Sequence, residues 1–185
     1  MSASHPNPPS ETSDQNCFDT TVLVVDDEPV NRLVLCKLLY ESGFATEQAS
    51  NGAEAIEAIK TKTIDMVLLD IVMPVMDGFA ALKTIRQDMD LDELPVIMVT
   101  SSGESENVVR AFECGANDFI NKPVDAAVTI ARINMHLQFA KSRADLRNSQ
   151  ERYALVAKGT NDGLWDWDLD SDTVFYSDRW FNMLA

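Results

Sequence analysis

No stretch of this sequence approaches the roughly 20 consecutive apolar residues that a membrane-spanning helix requires. Its first residues lack the basic start and apolar core of a secretory signal. Basic residues are scarce: 15 Lys and Arg stand against 30 Asp and Glu, for a formal charge of -15. Such a balance argues against direct contact with nucleic acid or an anionic membrane through this portion, and leaves proteins and cations as the expected partners. Cysteine is sparse too. Cys17, Cys36 and Cys114 are odd in number and unrelated in spacing, and the last two fall on helical apolar patterns. Neither a disulfide framework nor a cysteine metal site is expected, and a reducing cytoplasm fits. What is present is a hydrophobic share of 45% over 185 residues, enough for the core of one domain of ordinary size plus a piece of something else.

The opening 1–20 are Pro-, Ser- and Asn-rich with little to bury, so a disordered tail is expected. From Thr21 an apolar run ends in Asp26-Asp27, and Pro29 then opens a helix with Val30, Leu33, Val34, Lys37 and Leu38 at helical spacing. Gly43 closes that helix, Phe44 to Ala49 reads as a short strand, and Asn51 caps a helix with a core face of Ala55, Ile56 and Ile59. The run Ile64, Met66, Val67, Leu68, Leu69 reads as a strand buried on both faces, delivering Asp70 at its tip. The turn signals Met73-Pro74 and Asp77-Gly78 lead into a helix to Met89. Leu94 to Val99 forms a fourth strand ending in Thr100-Ser101-Ser102-Gly103, and Val108, Val109 and Phe112 mark a helix up to Gly115. Asp118 to Asn121 is a fifth strand running into Lys122-Pro123.

Strands alternating with helices of this length predict an α/β fold, a doubly wound five-stranded parallel sheet with helices on both faces. In that architecture the strand C-termini share one rim, and the sequence places Asp26, Asp27, Asp70, Thr100 and Lys122 there. Each has a plain alternative as a helix-start acid, a turn hydroxyl or a solvated lysine. Their fall on successive tips of one sheet points to a shared site. Three clustered carboxylates repel unless a hard cation neutralises them, and open oxygen ligation suits Mg²⁺. Asp70, already ionised at neutral pH, is suited to take a phosphoryl group as an aspartyl-phosphate, with the metal and Lys122 spreading charge and Thr100 donating a hydrogen bond.

Asp26-Asp27, the stretch LLDIVMPVMDG, Thr100 and Lys122-Pro123 together resemble the receiver domain of two-component response regulators, over about 21–136. The resemblance implies a flavodoxin-like receiver fold with Asp70 as phosphoacceptor, phosphorylated by a histidine kinase or phosphotransfer protein. It implies a Mg²⁺ site made by Asp27, Asp70 and the backbone carbonyl of Val72, with Asp26 acting largely through water, and Lys122 paired with the phosphoryl group. It also implies a switch in which Thr100 and Phe119 change position on phosphorylation, altering the face of the fourth helix, fifth strand and last helix. Phe119 as an ordinary core aromatic remains the alternative. The Lys-Pro bond is usually cis in the family.

From Val124 to Lys158 there is neither Pro nor Gly, so the last helix is expected to run on, with 137–158 as a helical linker. Met135, Phe139, Ser142, Leu146, Ser149, Tyr153 and Val156 recur at alternating spacings of four and three, a weak heptad seam that predicts a homodimer through helix and receiver face. A single solvated helix is the alternative. The segment 159–185 alternates Trp165, Trp167 and Leu169 with acids, turns at Asp170-Ser171-Asp172 and resumes at Val174 to Tyr176, reading as a hairpin and a helix start. It resembles the beginning of a PAS sensory domain, too short to close the sheet or a ligand pocket. The chain is therefore expected to be the front of a longer regulator. Two functions stand side by side: a phospho-switch that is not itself an enzyme and controls a downstream output domain, and the regulatory part of a cyclic-di-GMP synthesising or degrading enzyme or of a hybrid histidine kinase.

Overall fold

The computed structural model describes residues 18–101, 105–159, 165–169, 171–176 and 180. Five strands alternate with five helices: β1 Thr21–Val25, α1 Pro29–Glu41, β2 Ala45–Ala49, α2 Gly52–Thr61, β3 Met66–Asp70, α3 Gly78–Asp88, β4 Val96–Thr100, α4 Ser105–Glu113, β5 Asp118–Asn121 and α5 Ala126–Gly159. The strands are parallel throughout and ordered β2-β1-β3-β4-β5. This is the flavodoxin-like doubly wound order, in which the chain reverses its direction of travel at β1 and β3.

Why the strands form is plain from their content. β3 and β4 read MVLLD and VIMVT and are buried at every position, as parallel strands covered on both faces must be. Alternate residues enter opposite layers. Leu23, Val25, Val67, Leu69, Val96 and Met98 pack with Ala55 of α2, Phe79, Leu82 and Ile85 of α3 and Ala111 of α4. Val22, Val24, Met66, Leu68, Ile97 and Val99 pack on the other side with Leu35, Cys36 and Leu39 of α1 and Ile133 of α5. The helix starts are as legible: Asn51 Oδ1 accepts from the Glu54 N–H at 3.0 Å and Asp77 Oδ1 from the Ala80 N–H at 2.7 Å.

Three sequence expectations change. The helical apolar spacing of α1 does not mark its buried face: Val30, Leu33 and Val34 are 62%, 67% and 58% exposed, whereas Leu35, Cys36 and Leu39 face the sheet. The helix carries apolar residues on two faces, and periodicity alone cannot say which one the sheet takes. Phe44 precedes β2 rather than opening it, because its N–H caps α1 by donating to the Leu39 carbonyl at 3.0 Å after Gly43 at φ +88°. On α2 the expected core face is only partly buried, Ala55 fully but Ile56 and Ile59 half so. The last helix, whose start the sequence left open, begins at Ala126, where Asp125 Oδ1 accepts from the Val128 N–H at 2.9 Å.

α5 runs unbroken past the sheet to Gly159. Beyond the receiver core it is tied to the loop before β4 by Arg143 Nη1 to Asp92 Oδ2 at 3.5 Å and Arg147 Nη1 to Glu93 Oε1 at 3.2 Å. Val128, Met135, Phe139, Leu146 and Tyr153 are exposed along it. The strands β6 Trp165–Asp168 and β7 Thr173–Tyr176 pair antiparallel, with Trp165 opposite Tyr176 and both Trp165 and Trp167 exposed. The expected tail over 1–17, Ser102-Gly103, the Val156 side chain and the helix start after the hairpin, apart from Trp180, lie outside the described residues. Among the described residues no helix is long and apolar enough to cross a membrane.

Candidate functional site

β1 and β3 are neighbours in the sheet, so their C-terminal ends set Asp26 beside Asp70. The chain leaves β3 through a tight loop. The Gly78 N–H returns to the Ile71 carbonyl at 2.9 Å, and a Cβ on Gly78 would lie 2.1 Å from the Asp70 carbonyl oxygen, so only glycine permits this approach. Within the loop the Met76 N–H donates to the Pro74 carbonyl at 2.7 Å around Val75 at φ +68°, a strained three-residue turn that exposes the Val75 side chain.

The carboxylates of Asp26, Asp27 and Asp70 bring ligand oxygens within 4.8 Å of one another. Asp26 is 1% exposed with both oxygens bonded: its Oδ1 accepts from the Glu28 N–H at 2.9 Å and from Asn31 Nδ2 at 3.2 Å, and its Oδ2 from Lys122 Nζ at 2.6 Å. Asp70 is 6% exposed, takes the Ile71 N–H on Oδ1 at 2.8 Å and faces Lys122 Nζ with Oδ2 at 3.0 Å. Asp27 is exposed. Burial is the largest influence on Asp70 and pushes its carboxyl up; Lys122 pulls against it and Asp26 adds to it. For Lys122, burial alone would lower the ammonium, but its bonds to Asp26 and Asp70 prevail and hold it above the ordinary lysine range.

Lys122 reaches this position from the end of β5, where its N–H donates to the Thr100 carbonyl at 2.7 Å and its bond to Pro123 is cis. Thr100 ends β4, buried, one residue past the partner of Asp70. Phe119 lies on β5 opposite Met98, half-buried against the core, its ring edge-on to Phe112 at 6.1 Å. Val72 sits two residues beyond Asp70 with its side chain in solvent. The predicted rim residues thus converge, with Phe119 set further back along its strand. Hard oxygen donors around an opening at Asp27 fit a Mg²⁺-sized cation, because carboxylate oxygens with room for water are what that ion takes.

Sequence reading missed the side chains that hold this geometry. Asn31 binds the Asp26 carboxylate, and Arg32 Nη1 donates to the carbonyls of Asp26 and Asp27 at 2.6 and 3.2 Å. The run DDEPVNR holds the signal, since residues five and six after an acid at a helix start come back over it within the first turn. Also missed was the apolar rim of Val30, Leu33, Val34, Val72 and Val75 in the loops and helix flanking the acids.

Residues 22–134 match the family model for the response regulator receiver domain. The chain is 39% identical over 117 residues to the chemotaxis protein CheY of Bacillus subtilis, covering 63% of this chain and 96% of that protein. It is 34% identical over 131 residues to a Vibrio cholerae protein named probable cyclic di-GMP phosphodiesterase, covering 71% of this chain but only 30% of that one. The crystal structure of a CheY-like response regulator receiver domain protein from Methanospirillum hungatei superposes with a TM-score of 0.62 at 26% identity, covering 67% of this chain and 98% of that one.

Proposed function

The chain belongs to the response regulator receiver family, and on that premise we propose that Asp70 accepts a phosphoryl group from a histidine kinase or phosphotransfer protein at a Mg²⁺ site. The observation that carries this reading is the ring of Asp26, Asp27 and Asp70 with Lys122 Nζ bridging two of them at 2.6 and 3.0 Å. Mg²⁺, when bound, supplies positive charge against the three carboxylates and the phosphoryl oxygens. Asp27 and Asp70 would hold it directly with the Val72 carbonyl, and Asp26, whose Oδ2 keeps a lone pair beside its bond to Lys122, through water. In the transfer an Asp70 oxygen forms a bond to phosphorus as the bond from phosphorus to the donor imidazole nitrogen breaks. Lys122 pairs with the equatorial oxygens and Thr100 donates to one of them.

Because Asp70 is recessed, a donor imidazole reaches it only if the donor covers the rim. The exposed Val30, Leu33 and Val34 of α1 with Val72 and Val75 give that donor an apolar seat around a charged centre. Output is a shift in the face of α4, β5 and α5 as Thr100 and Phe119 move toward the phosphoryl group. Exposed Val109, Phe112, Val128 and Met135 on that face lead into the stripe of Phe139, Leu146 and Tyr153, which supports a homodimer through the receiver face and α5, with Ser142 and Ser149 as weak points in the seam. This portion of the regulator acts in the cytoplasm, with the hairpin after α5 as the beginning of a PAS domain.

The kind of output that follows is a second reading. A cyclic-di-GMP enzyme downstream is one output compatible with the Vibrio cholerae match, of which the chain spans only 30%, and no effector chemistry is assigned to the residues here. Sedimentation of the chain with Mg²⁺, with and without beryllofluoride, beside Asp70→Asn, tests the switch. A change of mass or shape in the wild type alone supports it, and identical sedimentation of all samples overturns it.

A further inference from the structure

Asp27 is the one acid of the trio with no side-chain bond holding it among the described residues, whereas both Asp26 oxygens already accept bonds from Glu28, Asn31 and Lys122, so Asp27 is the acid best able to meet the cation directly. Its direction is therefore set by its backbone. The group that grips that backbone is the guanidinium of Arg32, whose Nη1 lies 2.6 Å from the Asp26 carbonyl oxygen and 3.2 Å from that of Asp27. Arg32 stands on the first turn of α1, half-buried, with its own N–H bonded to the Glu28 carbonyl at 3.2 Å. Helix and acidic loop are thus pinned at two points, one along the main chain and one through the side chain.

We propose that Arg32 is a positioning residue for the divalent cation: by holding the two consecutive carbonyls of the β1–α1 loop, it fixes the Asp27 carboxylate toward Asp70. This rests on the reading of Asp26, Asp27 and Asp70 as the cation site. The proposal makes a prediction opposite in sign to simple electrostatics. A positive charge close to three carboxylates weakens their hold on a cation, so if charge were all that mattered, removing Arg32 would tighten binding. Outer residues that orient ligands do the reverse, and their loss typically weakens metal binding about tenfold or more.

The test is titration of the full chain with Mg²⁺ alone by calorimetry, for wild type, Arg32→Gln, Arg32→Met, which keeps the aliphatic stem, and Asp27→Asn. Thermal melting in metal-free buffer establishes which variants are folded. The expected result is that both Arg32 variants bind Mg²⁺ about tenfold more weakly while their melting is cooperative, and Asp27→Asn binds weaker still. Unchanged or tighter Mg²⁺ binding in a cooperatively melting Arg32 variant overturns the proposal, even where its melting temperature falls, since a merely structural arginine lowers stability and leaves affinity alone. If Asp27→Asn binds Mg²⁺ as the wild type does, it is the cation-site reading that fails, and Arg32 with it.

Discussion

Lys122 Nζ lies 3.0 Å from Asp70 Oδ2, an ammonium held against the side chain that burial works to neutralise. The two residues come from β5 and β3, which do not touch in the sheet, and the lysine spans the tip of β4 to join them. It opposes the neutralising effect of burial on the recessed carboxylate and leaves a cation where the charge of an arriving phosphoryl group develops.

Replacing Lys122 by Met removes that charge and leaves Asp26 and Asp70 facing each other. Phosphorylation of the chain by acetyl phosphate is expected to slow by about a hundredfold at saturating Mg²⁺, measured as the initial rate of phosphoprotein formation.

Gly78→Ala places a methyl 2.1 Å from the Asp70 carbonyl oxygen. Backbone meets it, not a flexible side chain, so β3 or α3 must shift. A loss of about 3 kcal/mol or more in urea unfolding is expected, with slower phosphorylation in whatever fraction folds.

Leu33→Asp changes an exposed position of α1 that belongs to neither core layer. Stability should stay within about 0.5 kcal/mol and acetyl phosphate labelling should be unaltered. Transfer from a phosphorylated histidine donor domain should slow about tenfold, since the donor seat loses an apolar contact and gains a buried charge.

Asp118, at the start of β5, is a buried acid held by Arg132 Nη1 at 2.6 Å and His136 Nε2 at 3.1 Å. Burial would raise its carboxyl, but these bonds and the Phe119 N–H prevail and hold it below the usual carboxylate range. A depressed acid stabilises the fold fully above the unfolded aspartate value, and that contribution is lost as pH falls through the folded value. Asp118→Asn is therefore expected to cost about 1–3 kcal/mol near neutrality, a gap that narrows as urea melts are repeated at successively lower pH below the ordinary aspartate value.

The strands, their acidic tips and the cap at Asn51 were legible because each is written in a few adjacent residues, whereas Asp77, read as part of a turn signal, also caps α3. The family's pattern likewise points to Asp26, Asp27, Asp70, Thr100 and Lys122. What escaped the sequence is long-range or ambiguous. Arg86 donates to the Gly115 and Leu94 carbonyls at 2.7 and 3.0 Å and to Asn117 Oδ1 at 2.9 Å, joining α3 to two distant loops, and no local pattern announces that. The Asp118, Arg132 and His136 cluster is hidden for the same reason. α1 was misleading in another way, since Val30, Leu33 and Val34 have a core-like spacing and face solvent.

The most direct measurement is the intact mass of the chain after incubation with acetyl phosphate and Mg²⁺, beside Asp70→Asn and a chelated control. A single added phosphoryl group, sensitive to hydroxylamine as an acyl phosphate is, should appear on the wild type and on neither control. Equal labelling of Asp70→Asn, or none on the wild type, would contradict Asp70 as the phosphoacceptor.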